Sequence, residues 1–220
     1  MAPERYVLAL LVTTQRWAPP ALVLAGVIVW IWMTPPINLA TVQIVLVVLF
    51  ALAAWLGHAT ATSEEPGQEL ISVSNLGSAT RLLLAKWTVA VVLSAVFPLL
   101  LVAGTFVVGK VRASSEPPPF TDPQALAAAL AMILVAAAGA ALGSLIASLL
   151  PGRPGWAAGV LILLGLAQAA PWMAPVSPLA ASLPGQDQPI QGDFLLAGAL
   201  AALLTGAMLV AAKLLRRPVH

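Results

Sequence analysis

The residues of this 220-residue chain that could do chemistry are concentrated in one segment, residues 58–87 (HATATSEEPGQELISVSNLGSATRLLLAKW). The segment holds Glu64, Glu65 and Glu69, followed by the basic residues Arg81 and Lys86. A catalytic site needs acids, bases or nucleophiles that converge on one point. Acids placed before an apolar stretch, with basic residues after it, instead predict a short surface helix that docks on another protein.

The remaining polar residues form no second group. The other candidate acids are spread over separate loops and none lies within an apolar stretch: Glu116, Asp122, Asp187 and Asp193. His58 has no second histidine or clustered acid, which favours an interfacial residue over a metal ligand. The absence of cysteine excludes disulfides, thiolate metal sites and thiol catalysis. We therefore predict no enzyme, no metal site and no bound cofactor in this chain.

Residues 104–111 (GTFVVGKV) come close to the phosphate-binding pattern G-x-x-x-x-G-K-[ST]. Val111 replaces the hydroxyl residue that would hold Mg²⁺, and no strand precedes the motif. We expect no nucleotide to bind here, so any ATP hydrolysis must come from another chain.

The composition places the chain in a membrane. Hydrophobic residues make up 60% of the chain and charged residues 8%, and the mean hydropathy is +0.98. A soluble domain carries about 25% charged residues, so this surface must be covered mostly by lipid. The ten basic residues are scattered among apolar stretches and form no basic face, which argues against nucleic-acid binding.

Six apolar stretches approach the roughly 20 residues that a helix needs to cross a bilayer. We predict an all-α bundle of six transmembrane helices that forms one domain over residues 1–220. The predicted spans cover about residues 17–33, 37–57, 87–109, 123–150, 155–171 and 193–215.

The distribution of Lys and Arg predicts that both termini are cytoplasmic. With that orientation Lys110 and Arg112 lie outside, and the cytoplasmic side holds Arg5, Arg16, Arg81, Lys86, Arg153, Lys213, Arg216 and Arg217. All seven tryptophans then fall at predicted span ends, where amphipathic rings are favoured. We expect a multi-pass protein of the plasma membrane.

Two segments outside the spans have two interpretations each. Residues 1–17 predict either a short interfacial helix or an inward extension of the first span. The apolar, proline-rich segment from Pro171 to Pro184 predicts either two short helices dipping into the outer leaflet or an irregular loop.

The long cytoplasmic loop predicts a helix and turn over residues 63–77. Ser63 is the expected N-cap, with Glu64, Glu65 and Pro66 in the first turn. Gly67 loosens that turn. The residues after it give the helix an apolar side, and a small-residue turn ends it: Leu70, Ile71, Val73, Asn75, Leu76 and Gly77. Ser78 is the expected N-cap of a second helix that continues into the third span.

Within the spans, two glycine pairs and a few polar residues stand out. Gly139-x-x-x-Gly143 and Gly155-x-x-x-Gly159 allow close helix approach, within the bundle or at a dimer seam. Gln43 and Gln168 are the candidate pathway residues, because intramembrane polar groups often mark transport routes. Their alternative role is hydrogen bonding to the backbone.

The loop pattern resembles that of the permease subunits of ABC-2 type ABC transporters. These have six spans, cytoplasmic termini, an N-terminal interfacial elbow helix and a coupling helix after span two. The matching residues are Glu65, Gly67, Glu69, Leu70, Ile71, Asn75, Gly77, Arg81 and Lys86. This chain has Ser74-Asn75-Leu76-Gly77 where the family often has a proline-containing turn.

The resemblance implies that residues 64–77 couple the spans to a separate ATPase. Its expected partners are two ABC ATP-binding subunits, a second permease chain (identical or related) and the lipid bilayer. The implied activity is export or leaflet transfer of a hydrophobic or amphipathic substrate. The alternative is a non-transporting membrane scaffold or assembly subunit.

Overall fold

A computed structural model describes residues 3–33, 39–112, 122–170, 172–183 and 192–216. These ranges are almost entirely helical and contain no strand. The helices are α1 (Pro3–Thr13), α2 (Ala18–Met33), α3 (Leu39–Ala61), α4 (Pro66–Leu76), α5 (Ala79–Arg112), α6 (Asp122–Leu149), α7 (Pro154–Ala167), α8 (Val176–Ala181) and α9 (Gly192–Leu215).

Helices α3 and α6 form the centre of the bundle and have the most extensive contact of any helix pair. Glycines allow this approach: a Cβ atom added to Gly57 would overlap the carbonyl of Ala140, and one added to Gly143 would overlap that of Ala54. A Cβ atom added to Gly139 would lie 2.6 Å from the carbonyl oxygen of Phe50. The predicted close approach at Gly139 and Gly143 is therefore confirmed, and it occurs within the bundle.

The other helices pack around this pair. Helix α5 contacts both α3 and α6, α9 lies against α6, and α2 and α7 both pack on α3. The main core combines alanines with larger apolar side chains such as Leu46, Phe50 and Met132. Small residues bring the helix backbones together, and the large ones fill the space between the layers.

The described helices suit a membrane-embedded protein. Four segments are long and apolar enough to span a bilayer: Val42–Ala61, Ala79–Val96, Leu126–Leu149 and Asp193–Leu215. A fifth candidate is the bent pair α1 and α2, whose axes meet at 86°. Helix α7 is apolar but has 14 residues, which span about 21 Å against a hydrocarbon core of about 30 Å.

A bend separates α1 from α2. The two helix axes meet at 86°, so α1 does not continue α2 in a straight line, and the pair together has the length and apolar character of a single broken span. Gln15, with a positive φ of 55°, lies in the turn between the two helices.

The segment after α7 folds back onto the bundle. Helix α8 buries Val176, Leu179 and Ala180 in the main core, so this part is not an irregular loop. One short helix is seen over residues 172–183, and the remainder of the predicted outer segment lies outside the described residues.

Candidate functional site

Helix α4 lies outside the bundle and is delimited by two local signals. Pro66 occupies its first turn, where a missing N–H costs nothing. Gly77 ends the helix with a left-handed φ of 67°, and its N–H donates to the carbonyl of Ser74. The predicted end of the helix at Asn75-Leu76-Gly77 is confirmed, because glycine adopts this conformation at little cost.

The start of α4 differs from the prediction. Ser63 is not its N-cap, since the Ser63 hydroxyl donates to the carbonyl of Thr60 at 2.8 Å. Helix α3 continues to Ala61, one turn beyond the predicted end at Gly57, and so takes His58 into its last turn. Glu65 is the N-cap residue, without a side-chain capping bond.

The two sides of α4 have different environments. Its inner side turns toward α1 and α5, where Val73 and Leu76 pack against a cluster of Val7, Leu82, Ala85 and Val89. Its outer side is open, and two large apolar side chains, Leu70 and Ile71, are 68% and 63% exposed there. Burial alternates with the helical period, so α4 presents one free face away from the bundle.

Glu64 precedes α4 and forms a buried ion pair beneath it. Its Oε2 atom lies 2.6 Å from Nζ of Lys86 on α5, and both side chains are fully buried. Its Oε1 atom accepts hydrogen bonds from the hydroxyls of Ser72 on α4 and Tyr6 on α1. The Ser72 and Tyr6 hydroxyl oxygens lie 3.1 Å apart. One carboxylate therefore links three helices.

The two buried charges depend on each other. Apart from their ion pair, neither Glu64 Oε2 nor Lys86 Nζ has a hydrogen-bond partner among the described residues. Burial raises the pKa of Glu64, but hydrogen bonds from Lys86, Ser72 and Tyr6 and the lysine charge outweigh burial. The pKa of Glu64 consequently lies below its ordinary value, and the carboxylate stays ionised at neutral pH.

Glu69 connects the buried ion pair to Arg216, which lies near the C-terminus at the end of α9. Its Oε1 atom lies 3.5 Å from Lys86 Nζ and accepts a hydrogen bond at 3.0 Å from Arg216 at the end of α9. Arg216 also donates to the hydroxyl of Ser148 on α6 at 3.0 Å. We call Glu64, Glu69, Lys86 and Arg216 the ionic cluster. Two acids balance two bases, so the cluster is electrically neutral.

The structure divides the predicted coupling residues into two groups. Glu64 and Glu69 point inward and belong to the ionic cluster. The others are exposed on or beside the outer side of α4: Glu65, Gly67, Leu70, Ile71, Asn75, Gly77 and Arg81. A substitution at Glu69 would therefore disturb the anchoring of α4, and Glu65 is the acid that a partner could contact directly.

The two candidate pathway residues belong to other helices than this site and differ in exposure. Gln43 is exposed on α3. Gln168 is the C-cap residue of α7, which ends at Ala167, four residues before the predicted end of that span. It is buried, and its Oε1 atom accepts a weak hydrogen bond from the N–H of Val176 at 3.4 Å. The structure gives Gln168 a role in joining α7 to α8.

Two further candidate sites can be placed. The near-match to a phosphate-binding loop at residues 104–111 lies inside α5, where the backbone N–H groups serve the helix rather than a cradle for phosphate. Among the described residues, no group of three or more His, Asp or Glu side chains is placed to hold a metal ion.

Tyr6, Ser72, Ser148 and Arg216 were not singled out by sequence reasoning. Tyr6 is the single tyrosine of the chain and lies in the segment that the sequence left open as an interfacial helix or an extension of the first span. Arg216 is 147 residues from its partner Glu69 and was counted only as a topology marker. The sequence offered one signal for such residues, a polar side chain on an otherwise apolar helix. This signal does not show which residue that side chain contacts.

Comparisons of the chain with protein-family models, with curated proteins and with solved structures found no match.

Proposed function

We propose that this chain is the membrane permease subunit of an ATP-driven transporter of the ABC-2 type, with α4 as its coupling helix. In this proposal the bundle has six spans and cytoplasmic termini and lies in the plasma membrane. Two copies, or this chain and a related one, form the pathway, and two separate ATPase subunits bind at α4.

The observation that carries the proposal is the contrast between the two sides of α4. A helix with 68% and 63% exposed Leu70 and Ile71 offers apolar contact area to a partner. Its opposite side is attached to α5 and α9 through the ionic cluster. A partner that displaces α4 would thereby displace two helices of the bundle.

The position of the cluster supports the proposed orientation. Contacts bring Arg16, Lys86 and Arg216 to the same end of the bundle as Glu64 and Glu69. The excess of basic residues at that end is what the positive-inside rule expects of a cytoplasmic side. Four of the six proposed spans are the long apolar segments on α3, α5, α6 and α9. The remaining two are α2 and α7, which are both apolar and both packed on α3.

The proposal is tested by recovering the tagged chain from its native membrane in mild detergent and identifying co-purifying proteins by mass spectrometry. We expect an ATP-binding subunit that is recovered with the wild-type chain. We expect it to be lost with Leu70→Ser/Ile71→Ser, because the free face of α4 loses its apolar side chains, and to be reduced at least tenfold with Glu65→Lys.

The matched control is Glu4→Lys, which reverses an exposed acid on α1 without touching α4. It should recover the ATPase at the wild-type level. Recovery of the folded wild-type chain without an ATPase would overturn the permease proposal and favour the scaffold. If the ATPase is still recovered at the wild-type level with both Leu70→Ser/Ile71→Ser and Glu65→Lys, then α4 is not the coupling helix.

A further inference from the structure

An open cleft of about 520 Å³ lies on the bundle surface at the same end as the ionic cluster, but on a different set of helices. Helices α2, α3 and α7 and the turn between α6 and α7 form it. Its lining residues are Arg16, Pro19, Trp55, His58, Ala59, Thr62, Leu150, Gly152, Arg153, Pro154, Ala158 and Leu161.

The cleft exists because α2 and α7 both pack on α3 and leave its last turns uncovered between them. The turn before α7 forms one edge of the mouth. Gly152 adopts a left-handed φ of 72° there, and the N–H of Arg153 bonds to the carbonyl of Leu150. This turn places Arg153 directly before the first turn of α7.

A second arginine lines the cleft from the turn between α1 and α2. Arg16 donates from Nη1 to the carbonyl oxygen and the hydroxyl of Thr62, at 2.6 and 2.9 Å. These bonds hold its guanidinium at the end of α3, while the side chain remains exposed. A guanidinium has five donor N–H groups, so donors remain available for a ligand.

The lining has the character of an amphiphile site. Two arginines line the cleft, and none of its lining residues within the described part of the chain is an acid. The first turn of α7, with its free N–H groups, adds a further preference for an anion. Most of the other lining residues are apolar, among them Trp55, Leu150 and Leu161, and the polar exceptions are His58 and Thr62. On α7 the apolar surface continues past the cleft through exposed Ile162 and Leu163.

We propose that this cleft binds one anionic phospholipid, with its phosphate between Arg16 and Arg153 and an acyl chain along the apolar surface of α7. Guanidinium groups bind phosphate oxygens in a fork geometry. Basic residues near the inner surface of a membrane favour anionic lipids by about fivefold each. The inference rests on the chain lying in a membrane and does not require that it be a permease.

The test measures lipid binding to the full-length chain, purified and delipidated in detergent, by native mass spectrometry. The probes are phosphatidylglycerol, phosphatidylcholine and diacylglycerol, with inorganic phosphate as competitor. We expect the wild-type chain to bind phosphatidylglycerol at least tenfold more tightly than the other two lipids. The Arg16→Gln/Arg153→Gln variant should bind phosphatidylglycerol roughly 20-fold more weakly than the wild type.

The matched control is Arg5→Gln/Lys213→Gln, which removes two exposed charges outside the cleft and should change the affinity at most twofold. Should the double arginine variant fail to elute as a folded species, Arg153→Gln alone should still weaken binding about fivefold. Ala158→Phe provides a second variant, which fills the cleft without changing charge and should also reduce binding.

Equal affinities of the wild type, the cleft variants and the control would overturn the proposal, and so would equal binding of phosphatidylglycerol and phosphatidylcholine. Displacement of phosphatidylglycerol by millimolar inorganic phosphate would assign the cleft to a free anion instead of a lipid. If the chain binds phosphatidylglycerol but yields no ATPase on mild extraction from its native membrane, the permease proposal is refuted and this one stays intact.

Discussion

The ionic cluster and the crossing of α3 with α6 hold helices together by opposite means. The crossing relies on Gly57, Gly139 and Gly143, which bring two backbones into contact without any ion pair. The cluster relies on charges that join α4 to α5 and α9 with few close-packed backbone contacts. Close packing of two backbones permits a single relative position of the helices. An ion pair, in contrast, weakens when one partner loses its charge or when water reaches the pair.

The two regions lie near the same end of the bundle but hold different helices. The closest points of the crossing, at Gly57 and Gly143, lie within two turns of the ends of α3 and α6 and fix the relative position of these two central helices. The cluster lies beneath α4, whose outer face is exposed. Under the proposed function, displacement of α4 would be transmitted through the cluster to α5 and α9.

The largest expected effect comes from breaking the crossing. Gly143→Leu should abolish recovery of a monodisperse folded protein, because its side chain would overlap the carbonyl of Ala54 and force α3 and α6 apart. The measurement is size-exclusion chromatography of detergent extracts. Gly159→Leu is the control, since Gly159 belongs to the same kind of motif but has open space around it. Equal loss in both variants would refute a specific role for the crossing.

Breaking the buried ion pair should have the next largest effect. Lys86→Met leaves the Glu64 carboxylate buried and unpaired, which should destabilise the protein by about 3–5 kcal/mol. Thermal unfolding in detergent measures the change. Glu64→Gln/Lys86→Met should recover part of the loss because no charge remains buried, and Lys213→Met at an exposed site should be neutral. A double variant as unstable as Lys86→Met would show that packing, and not charge, determines the effect.

The smallest expected effect concerns the outer part of the cluster. The Glu69 and Arg216 side chains are 33% and 20% exposed, so water weakens their attraction. Arg216→Gln should cost about 1 kcal/mol or less and should matter less at high salt. Unfolding at low and high ionic strength, with Arg5→Gln as control, checks this. A loss as large as that of Lys86→Met would mean that the cluster acts as one unit.

Apolar periodicity and punctuation by Gly and Pro were enough to predict most helices. The start of α7 at Pro154, the start of α9 and the end of α4 before Gly77 fall within a residue or two of the predictions. These signals are local, since proline and glycine act on the backbone of their own turn. The predicted cap at Ser63 was wrong because the Ser63 hydroxyl bonds back to Thr60 in the last turn of α3 and Glu64 pairs with Lys86, 22 residues away.

Membrane embedding, an all-helical fold and the existence of a short helix outside the bundle follow from this sequence alone, because they depend on composition and on near-neighbour pattern. Which acid of that helix faces inward, which glycine pair contacts a neighbour and which basic residues share a cleft required the tertiary structure. These features join residues up to 147 positions apart, as in the Glu69–Arg216 pair, and only the packing of the helices brings them together.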